Sequence, residues 1–391
     1  MIPYGQHHID EEDIQAVVNV LQSSLLTQGP AVEAFEQAIA TYVGAKYAVA
    51  VSSGTAALHL AAIVAGVVPG NTLITSPITF VASANAGIYA GGDVGFADVD
   101  PNTINMSPLS LKEALQKHPN TKAVIPVHFA GLPCDMPAIH TLADTAGALV
   151  IEDAAHALGA IYPDGRRVGC CSHSAMTIFS FHPVKAISAG EGGMITTNDE
   201  NVFRKLIRLR SHGINKLDDP YQLPEQAGET EGINPWYYEM QELGFHYRIT
   251  DIQSSLATSQ MKKLDSFLHH RRVLVDRYDC VFEKDNLVVP AQTLDKRGSG
   301  NHIYPVRIDF AALGKTRRQV MLALREKGVG SQVHYIPVPM HPFYKRMGHN
   351  SGDYREAMRY YSEALTLPLF FDLSFEQQDF VIATLKAVLR A

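Results

Sequence analysis

The feature of this sequence that most constrains its fold is a series of short apolar segments between residues 48 and 198, separated by spacers long enough for helices. Strands that alternate with such spacers are joined by right-handed crossovers and form a mostly parallel sheet. Several segments show no polar alternation, as expected when helices cover both faces of the sheet. The sequence therefore predicts an α/β fold with a mostly parallel central sheet flanked by helices. The predicted strands are 48–51, 72–75, 94–98, 123–127, 148–153, 175–181 and 193–197.

The segments outside this region predict further helices and one long excursion. Residues 10–22 place acids in a first turn and apolar residues at helical spacing, which indicates an amphipathic helix. Residues 214–236 are polar and rich in turn formers, so we expect a long excursion there. Residues 251–268 have a helical pattern, and the helix is predicted to continue through Arg277.

The C-terminal part of the chain predicts a second, smaller domain. Residues 285–391 alternate predicted helices with predicted strands, such as 302–309 and 330–336. This alternation is typical of an α/β domain. We place the large domain, with an N-terminal arm, at 1–265 and the small C-terminal domain at 266–391.

Composition and charge exclude several classes of function. Lys plus Arg number 33 against 40 Asp plus Glu, a net charge of −7, and no basic tract indicates nucleic-acid binding. No apolar stretch reaches the roughly 18 residues that span a bilayer, and the first residues lack the pattern of a secretory signal. A cytoplasmic protein without a membrane partner is predicted. The 17 histidines include no H-x-x-x-H beside an acid, and no C-x-x-C pair occurs, so no metal site is predicted.

A candidate phosphate-binding motif, Ser-Ser-Gly-Thr-Ala-Ala-Leu, lies at 52–58, directly after the first predicted strand. A Ser/Gly/Thr turn that opens a helix presents free N–H groups and hydroxyls at the positive end of the helix dipole. An ordinary helix cap is the alternative. There is no G-x-G-x-x-G after the first strand and no P-loop motif, so a phosphate ligand other than a dinucleotide or a P-loop nucleotide is indicated.

A second candidate is Asp153, which ends the predicted strand 148–153. A carboxylate at the end of a buried strand needs a partner, because desolvating an unpaired charge is costly. A cationic nitrogen of a ligand would be a suitable partner. The alternative is a structural aspartate that caps the next helix.

A third candidate is Lys185, the one lysine in a loop of apolar and small residues between two predicted buried strands. Burial lowers the pKa of a lysine and makes its amine nucleophilic, so that it can bind an aldehyde covalently. A surface lysine is the alternative. The three candidates together match the three groups of pyridoxal phosphate that a protein binds. The turn at 52–58 suits its phosphate, Asp153 its pyridinium nitrogen and Lys185 its aldehyde.

Eight motifs, in order along the chain, carry a resemblance to a known family. They are LTQGP at 26–30, SSGTAALHL at 52–60, TSPITFVASAN at 75–85, VIEDAAHALGA at 150–160, TIFSFHPVKAISAGEGGM at 177–194, RSHGI at 210–214, FHYRITDIQSSL at 245–256 and QVHYIPV at 332–338. In these motifs the sequence resembles the sugar aminotransferases of the DegT/DnrJ/EryC1/StrS family. The resemblance implies the fold of fold-type I pyridoxal-phosphate-dependent transferases, pyridoxal 5'-phosphate as cofactor, and a homodimer that builds each site from two subunits.

The resemblance also implies roles for individual residues. Lys185 and Asp153 would be catalytic, the first bound to the cofactor aldehyde and the second paired with the pyridine nitrogen. His156 would bind the ring hydroxyl, and Phe80 would stack on the ring, with a core aromatic as the alternative for Phe80. The residues that would hold the cofactor phosphate are Gly54, Thr55 and Ser180.

One position departs from the family pattern. Many relatives have Asn in a GYNYR-like motif, where it reaches the phosphate of the cofactor in the neighbouring subunit, but this chain has His246. Imidazole can still donate a hydrogen bond, so a cofactor-binding role is retained as an expectation for His246.

The implied substrate contacts lie in family motifs that border the sugar site, and each has an ordinary polar residue as its alternative. The substrate expected for this family is a UDP-linked sugar, whose diphosphate is anionic. Because the chain is acidic overall, Arg210 and His212 are expected to supply local positive charge near that diphosphate. The implied substrate-binding residues are Tyr4, Gln28, His182, His334 and Tyr335.

Within the family, the forms FSFHPVK, PWYY at 235–238 and QVHYIPV are most similar to members that act in pseudaminic acid biosynthesis. Their reaction moves an amino group from L-glutamate to C4 of UDP-2-acetamido-2,6-dideoxy-β-L-arabino-hexos-4-ulose, a UDP-linked 4-keto sugar. One alternative is an aminotransferase for another nucleotide-linked 4-keto or 3-keto sugar. A further alternative is a 3-dehydratase, which has histidine in place of the lysine, and Lys185 argues against it. Another is a non-catalytic regulatory or sugar-binding protein, and the presence of both Lys185 and Asp153 argues against that.

Overall fold

The structure is a computed structural model that describes residues 1–215, 219–229 and 232–391. The polar excursion predicted at 214–236 therefore lies partly outside the described residues. Within it, the described residues form a four-residue helix and two two-residue strands.

A seven-stranded sheet forms the centre of the molecule. Its strands are β1 Tyr47–Val51, β2 Thr72–Thr75, β3 Asp93–Phe96, β4 Thr121–Ile125, β5 Leu149–Asp153, β6 Met176–Ser180 and β7 Gly193–Thr197. Their order in the sheet is β1-β7-β6-β5-β4-β2-β3. The strands β3, β2, β4, β5 and β6, which are neighbours in this order, run parallel to one another. Strand β7 is antiparallel to both β6 and β1. The prediction of a mostly parallel sheet is confirmed, and each predicted strand segment overlaps one of these strands.

Helices cover both faces of this sheet, which explains why its strands are apolar without alternation. Leu73 and Ile74 are neighbours in β2 and are fully buried, but Leu73 packs into one hydrophobic core and Ile74 into the other. Successive side chains of a strand point to opposite faces, so both positions must be apolar here. The helices of this part are α1 Glu11–Leu21, α2 Pro30–Val43, α3 Gly54–Val64, α4 Ala82–Tyr89, α5 Pro108–Lys117, α6 Met136–Thr145 and α7 Glu200–Arg210.

The predicted helix over 251–268 is broken in the structure. Two helices replace it, and Lys262 and Lys263 form the turn between them. This turn places Nζ of Lys263 2.7 Å from carboxylate oxygens of both Asp10 and Asp13 at the start of α1. The two helices are α9 Asp251–Met261 and α10 Leu264–Phe282. The elements between α7 and α9 are α8 Pro224–Ala227, β8 Gly228–Glu229 and β9 Gly232–Ile233.

A three-stranded antiparallel sheet lies in the C-terminal part, with strands β10 Val289–Pro290, β11 Tyr304–Arg307 and β12 Ala364–Leu367. It has a hydrophobic core of its own. Helix α10 contributes Phe267 to a core of the large sheet and Tyr278 to this C-terminal core, so it connects the two. The division after residue 265 stays a prediction. The remaining helices are α11 Arg317–Glu326, α12 Pro342–Arg346, α13 Arg355–Glu363 and α14 Phe375–Arg390.

The strand predicted at 330–336 is wrong. Only Gln332 forms a bridge, with Thr366 of β12. Beyond it the chain leaves the sheet, and Nδ1 of His334 bonds the Thr366 hydroxyl at 2.9 Å while the Tyr360 hydroxyl donates to the His334 carbonyl at 2.7 Å. Side-chain hydrogen bonds therefore replace the backbone ladder in this segment. In the described residues, no helix has the length and apolar character that crossing a membrane requires.

Candidate active site

A cavity of about 700 Å³ lies beyond the carboxyl ends of β1, β5 and β6. This is the edge at which open α/β sheets bind ligands. Eleven of the thirteen site residues predicted from the sequence line this one cavity. They are Tyr4, Gly54, Thr55, Phe80, Asp153, His156, Ser180, His182, Lys185, His334 and Tyr335.

An anion cradle forms one side of the cavity, where α3 begins. The Ser53 hydroxyl accepts a hydrogen bond from the Ala56 N–H at 3.1 Å and caps the helix. The first N–H groups of a helix have no intrahelical acceptor, so those of Gly54 and Thr55 remain for a ligand. A Cβ on Gly54 would lie 3.0 Å from Cβ of Ser180, so a glycine lets this turn approach the end of β6. The Ser180 side chain thereby faces the helix terminus.

A carboxylate at the base of the cavity has only neutral hydrogen-bond partners. Asp153, at the end of β5, is 6% exposed. Its Oδ2 accepts a 2.6 Å hydrogen bond from the Ser83 hydroxyl, and its Oδ1 accepts one at 3.1 Å from the Ala155 N–H. Since neither partner carries a positive charge, a cationic nitrogen of a ligand would complete the site.

The sequence interpretation missed Ser83. It lies in the motif TSPITFVASAN, four residues after Thr79, and the two hydroxyls are 2.8 Å apart. A serine one helical turn beyond another hydroxyl, in a motif that borders the site, was the available signal. Its pairing with Asp153, 70 positions away along the chain, was not visible in the sequence.

The amine of Lys185 is held in the loop between β6 and β7. The flanking residues Phe181 and Ile187 are buried and anchor this loop in the core. Burial lowers the pKa of Lys185 from 10.5 to about 8, and the negative charge of Asp153 opposes part of that shift. Near neutral pH a larger share of this amine is therefore uncharged than in a solvent-exposed lysine.

Neutral imidazoles line the wall of the cavity next to Lys185. Burial and the charge of Lys185 lower the pKa of His334 to about 4. Burial, Lys185 and His334 hold the pKa of His156 well below its usual value. The Tyr335 hydroxyl lies 3.0 Å from Nε2 of His156 and fixes that ring. A further lining residue that the sequence interpretation did not select is His302.

Two predicted site residues, Gln28 and His246, do not line this cavity and are exposed on the surface. Arg210, expected near a diphosphate, also lies outside the cavity. Its guanidinium donates to the Glu36 carboxylate and to the Ala50 carbonyl, so its charge is already paired within the chain. His212 lies beside His246, with their ring centroids 5.4 Å apart, and it is not a lining residue of the cavity either.

The groups in the cavity fit pyridoxal phosphate. The start of α3 with Ser180 provides donors for a phosphate, Lys185 provides an amine for the aldehyde, and Asp153 lacks the cation that a protonated pyridine nitrogen would supply. These are the protein contributions that this cofactor requires. Fold and site together define a pyridoxal-phosphate-dependent enzyme.

Comparison with known proteins identifies the family. Residues 7–386 match the DegT/DnrJ/EryC1/StrS aminotransferase family, and the chain belongs to it. The spore coat polysaccharide biosynthesis protein SpsC of Bacillus subtilis is 39% identical over 100% of this chain and 97% of its own length. A Campylobacter jejuni protein named UDP-4-amino-4,6-dideoxy-N-acetyl-beta-L-altrosamine transaminase is 35% identical over 100% of this chain and 98% of its own length.

Solved structures agree with this family. PseC of Helicobacter pylori, an aminotransferase involved in the biosynthesis of pseudoaminic acid, has a TM-score of 0.89 at 28% identity and covers 100% of this chain and 99% of its own. The Streptococcus pneumoniae putative sugar aminotransferase Spr1654, in its PMP form, has a TM-score of 0.89 at 30% identity over 100% of this chain and 99% of its own, and a PLP form is also known. The protein is thus a pyridoxal-phosphate-dependent sugar aminotransferase.

The lowered pKa of Lys185 predicts how cofactor loading depends on pH. Only the neutral amine attacks an aldehyde, and the neutral fraction grows as pH rises toward the pKa of about 8. Below that pH, the rate at which cofactor-free protein forms a borohydride-reducible adduct with pyridoxal phosphate should rise about tenfold per pH unit. Above it, the rate should level off. Peptide mass spectrometry after borohydride quenching measures the adduct at residue 185, and the Lys185→Ala protein reports background from other lysines. A rate that still rises steeply through pH 10 would contradict the prediction.

Proposed function

We propose that the protein transfers the amino group of L-glutamate to C4 of a UDP-linked 4-keto-6-deoxy-N-acetylhexosamine, UDP-2-acetamido-2,6-dideoxy-β-L-arabino-hexos-4-ulose, in pseudaminic acid biosynthesis. The observation that carries the aminotransferase chemistry is the presence of Lys185 and Asp153 in one cavity, the first with a lowered pKa and the second with neutral partners only. The choice of sugar is supported by the names of the Campylobacter relative and of the Helicobacter structure, and by the motifs FSFHPVK and QVHYIPV.

In this proposal Lys185 has two tasks. Its amine would hold the cofactor aldehyde covalently until glutamate takes its place. The released amine would then accept the Cα proton of glutamate, the amino group would stay with the cofactor, and water would supply the keto oxygen of 2-oxoglutarate. With the sugar bound, the same amine would deliver a proton to C4, and the ketone oxygen would leave as water. Bound pyridoxal phosphate supplies the electron sink for both halves.

The other residues of the cavity hold and orient the reactants. Asp153 would keep the pyridine nitrogen protonated, and Ser83 fixes the carboxylate for that contact. His156, with its ring held by Tyr335, would bond the ring hydroxyl. Phe80, 59% exposed, would cover the ring face. Gly54, Thr55 and Ser180 would bind the phosphate by backbone N–H groups and a hydroxyl.

Sugar contacts are assigned to polar residues of the cavity away from the phosphate cradle. Tyr4 belongs to the N-terminal arm, and its ring lies 5.5 Å from that of His334, centroid to centroid. The arm is attached to the C-terminal part through the Gly330 N–H, which donates to the Ile2 carbonyl at 2.8 Å. Tyr4 and His334 are therefore held together, and with His182 and Tyr335 they are proposed to contact the sugar.

The proposal includes a homodimer in which Gln28 and His246 serve the partner's cavity. Both are exposed and neither lines the cavity of its own chain. A neighbouring segment exposes large apolar side chains, among them Trp236 at 74% and Leu243 at 78%. Exposed apolar clusters of this kind are typical of protein interfaces.

A heterodimer of two defective subunits tests the shared site. One subunit carries Lys185→Ala, and the other carries Gln28→Ala with His246→Ala. If Gln28 and His246 reach across, one of the two cavities is intact, and doubly tagged, purified heterodimer should show about half of wild-type activity. If they act within their own subunit, neither cavity is intact and activity is lost. A heterodimer of Lys185→Ala with wild type is the matched control. It should show about half of wild-type activity whether Gln28 and His246 act across subunits or within their own.

The substrate is tested with the loaded enzyme, L-glutamate and a panel of UDP-, dTDP- and GDP-linked keto sugars, with NMR at C4 and C3 of the products. Amination at C4 of the UDP-linked N-acetylated sugar is expected. Amination of only a dTDP- or GDP-linked sugar would overturn the sugar assignment and leave the aminotransferase class in place. Absence of any spectral change with glutamate would instead favour a regulatory or sugar-binding protein.

A second candidate function is amination of a different nucleotide-linked 4-keto or 3-keto sugar. The observation that favours it is the identity of 39% to a protein named for spore coat polysaccharide biosynthesis, against 35% to the Campylobacter transaminase. The same panel separates the two candidates, since the position of the new amine and the nucleotide are both read from the product.

A further inference from the structure

His302 lies against His156 in the wall of the cavity. It is 5% exposed and lines the cavity, and its ring centroid is 4.3 Å from that of His156 at an interplanar angle of 38°. No role for His302 follows from the activity proposed above. Two imidazoles in such close contact restrict each other's rotation, so the conformation of His156 depends on its neighbour.

The backbone around His302 is firmly held. Its N–H donates to the Ala130 carbonyl at 2.9 Å, and its carbonyl accepts from Nη1 of Arg271 at 3.0 Å. Gly131, with φ +101°, allows the two loops to approach, because a Cβ there would lie 2.8 Å from the His156 carbonyl oxygen. The loop that carries His302 and the segment that carries His156 are therefore packed backbone against backbone.

Lys185 and His334 disfavour a charged imidazole at His156, and His302 and Tyr335 contact its ring. Two carboxylates, Asp153 and Glu191, line the same cavity. Asp153 acts on Lys185 and Tyr335, and neither carboxylate raises the pKa of His156. Arg271 adds positive charge near His302. Among the described residues, Nδ1 of His156 and Nδ1 of His302 have no hydrogen-bond partner and are buried. Bulk solvent therefore does not reach either nitrogen.

We infer that His302 is a positioning residue, whose ring packs on His156 so that Nε2 stays paired with Tyr335 and the imidazole stays buried and neutral. A neutral imidazole has one donor and one acceptor nitrogen, so its orientation decides which nitrogen faces the bound cofactor. The role of His156 toward the cofactor rests on the proposed function. The packing of His302 on His156 belongs to the protein without cofactor and is tested there.

The test is an NMR titration of histidine side chains in the cofactor-free protein, for wild type, His302→Ala, His302→Asn and His302→Phe. Removing the ring in the Ala or Asn variant opens space for water beside His156 and should raise its pKa measurably toward the usual value. The Phe variant keeps a ring against His156 and lacks the nitrogens, so its His156 should titrate as in wild type. His118, which lies in a separate cavity, is the internal control and should titrate identically in all four proteins.

The outcomes are distinct. An unchanged titration of His156 in both the Ala and Asn variants would overturn the inference. A shift of equal size in the Phe variant would also overturn it, since the nitrogens rather than the packed ring would then matter. With cofactor and glutamate, kcat of the Ala and Asn variants should fall about tenfold while KM changes little. If no adduct forms at Lys185 even in wild type, the proposed function fails, while the titration still decides the role of His302.

Discussion

Replacing Lys185 with alanine is expected to abolish the borohydride-reducible adduct and to lower turnover with glutamate by about 10³-fold or more. General acid–base catalysis alone contributes about 10²- to 10⁴-fold, and this amine is assigned the proton transfers of both half-reactions in addition to binding the aldehyde. Absorbance changes on adding glutamate in a single turnover measure the rate. Mass spectrometry after borohydride treatment measures the adduct.

Two further variants show which property of Lys185 matters. Lys185→Arg keeps a positive charge, but its guanidinium does not deprotonate near neutral pH, so it should be as inactive as the alanine variant. Lys262→Ala removes a lysine from the turn between α9 and α10, outside the cavity, and should behave as wild type. If the Lys185→Ala protein retained half of the wild-type turnover with glutamate, the proposed aminotransferase mechanism would be wrong.

The central sheet was predictable because its signal is local. Each strand is a short apolar run, and β2 and β7 coincide with the predicted segments 72–75 and 193–197. The turn at 52–58 and Asp153 were also found by a general rule, since ligands bind where parallel strands end. Ser180 and the sugar contacts came from the family resemblance. Asp153 and Ser180 are the last residues of β5 and β6, and both line the cavity.

Contacts between distant parts of the chain were not predictable. The hydrogen bond between Tyr335 and His156 joins residues 179 positions apart, and that between Ser83 and Asp153 joins residues 70 apart. The wrong strand at 330–336 has the same origin. Its residues favour an extended chain, but a strand also needs a free neighbouring edge, and β12 pairs with this segment only at Gln332. Likewise, the sequence revealed the charge of Arg210 but not its partner Glu36.

Two adjacent acids in β5 illustrate what the structure adds. Glu152 and Asp153 are neighbours in the sequence, and successive side chains of a strand point to opposite faces. Glu152 is fully buried on the far face, where its carboxylate bonds Nε2 of His128 at 2.8 Å and accepts hydrogen bonds from the hydroxyls of Tyr162 and Ser174. Asp153 faces the cavity with two neutral partners. Glu152 is therefore saturated within the protein, while Asp153 has capacity left for a ligand.

This contrast predicts that two matched substitutions affect different properties, turnover in one variant and thermal stability in the other. Asp153→Asn keeps the size of the side chain and loses the charge that would hold a proton on the pyridine nitrogen. Breaking a buried ion pair by removing one partner costs about 3–5 kcal/mol, so turnover with glutamate should fall about 10²- to 10⁴-fold. The adduct at Lys185 should still form, and the melting temperature without cofactor should change little.

Glu152→Gln, one residue away, is the matched control. It leaves His128 without its carboxylate partner in the core, so the melting temperature should fall by several degrees while turnover per folded molecule changes far less than in Asp153→Asn. Thermal unfolding of the cofactor-free proteins and single-turnover absorbance with glutamate measure the two effects. Equal losses of turnover in both variants would mean that the charge of Asp153 has no specific role toward the cofactor, because any disturbance of β5 would then be sufficient.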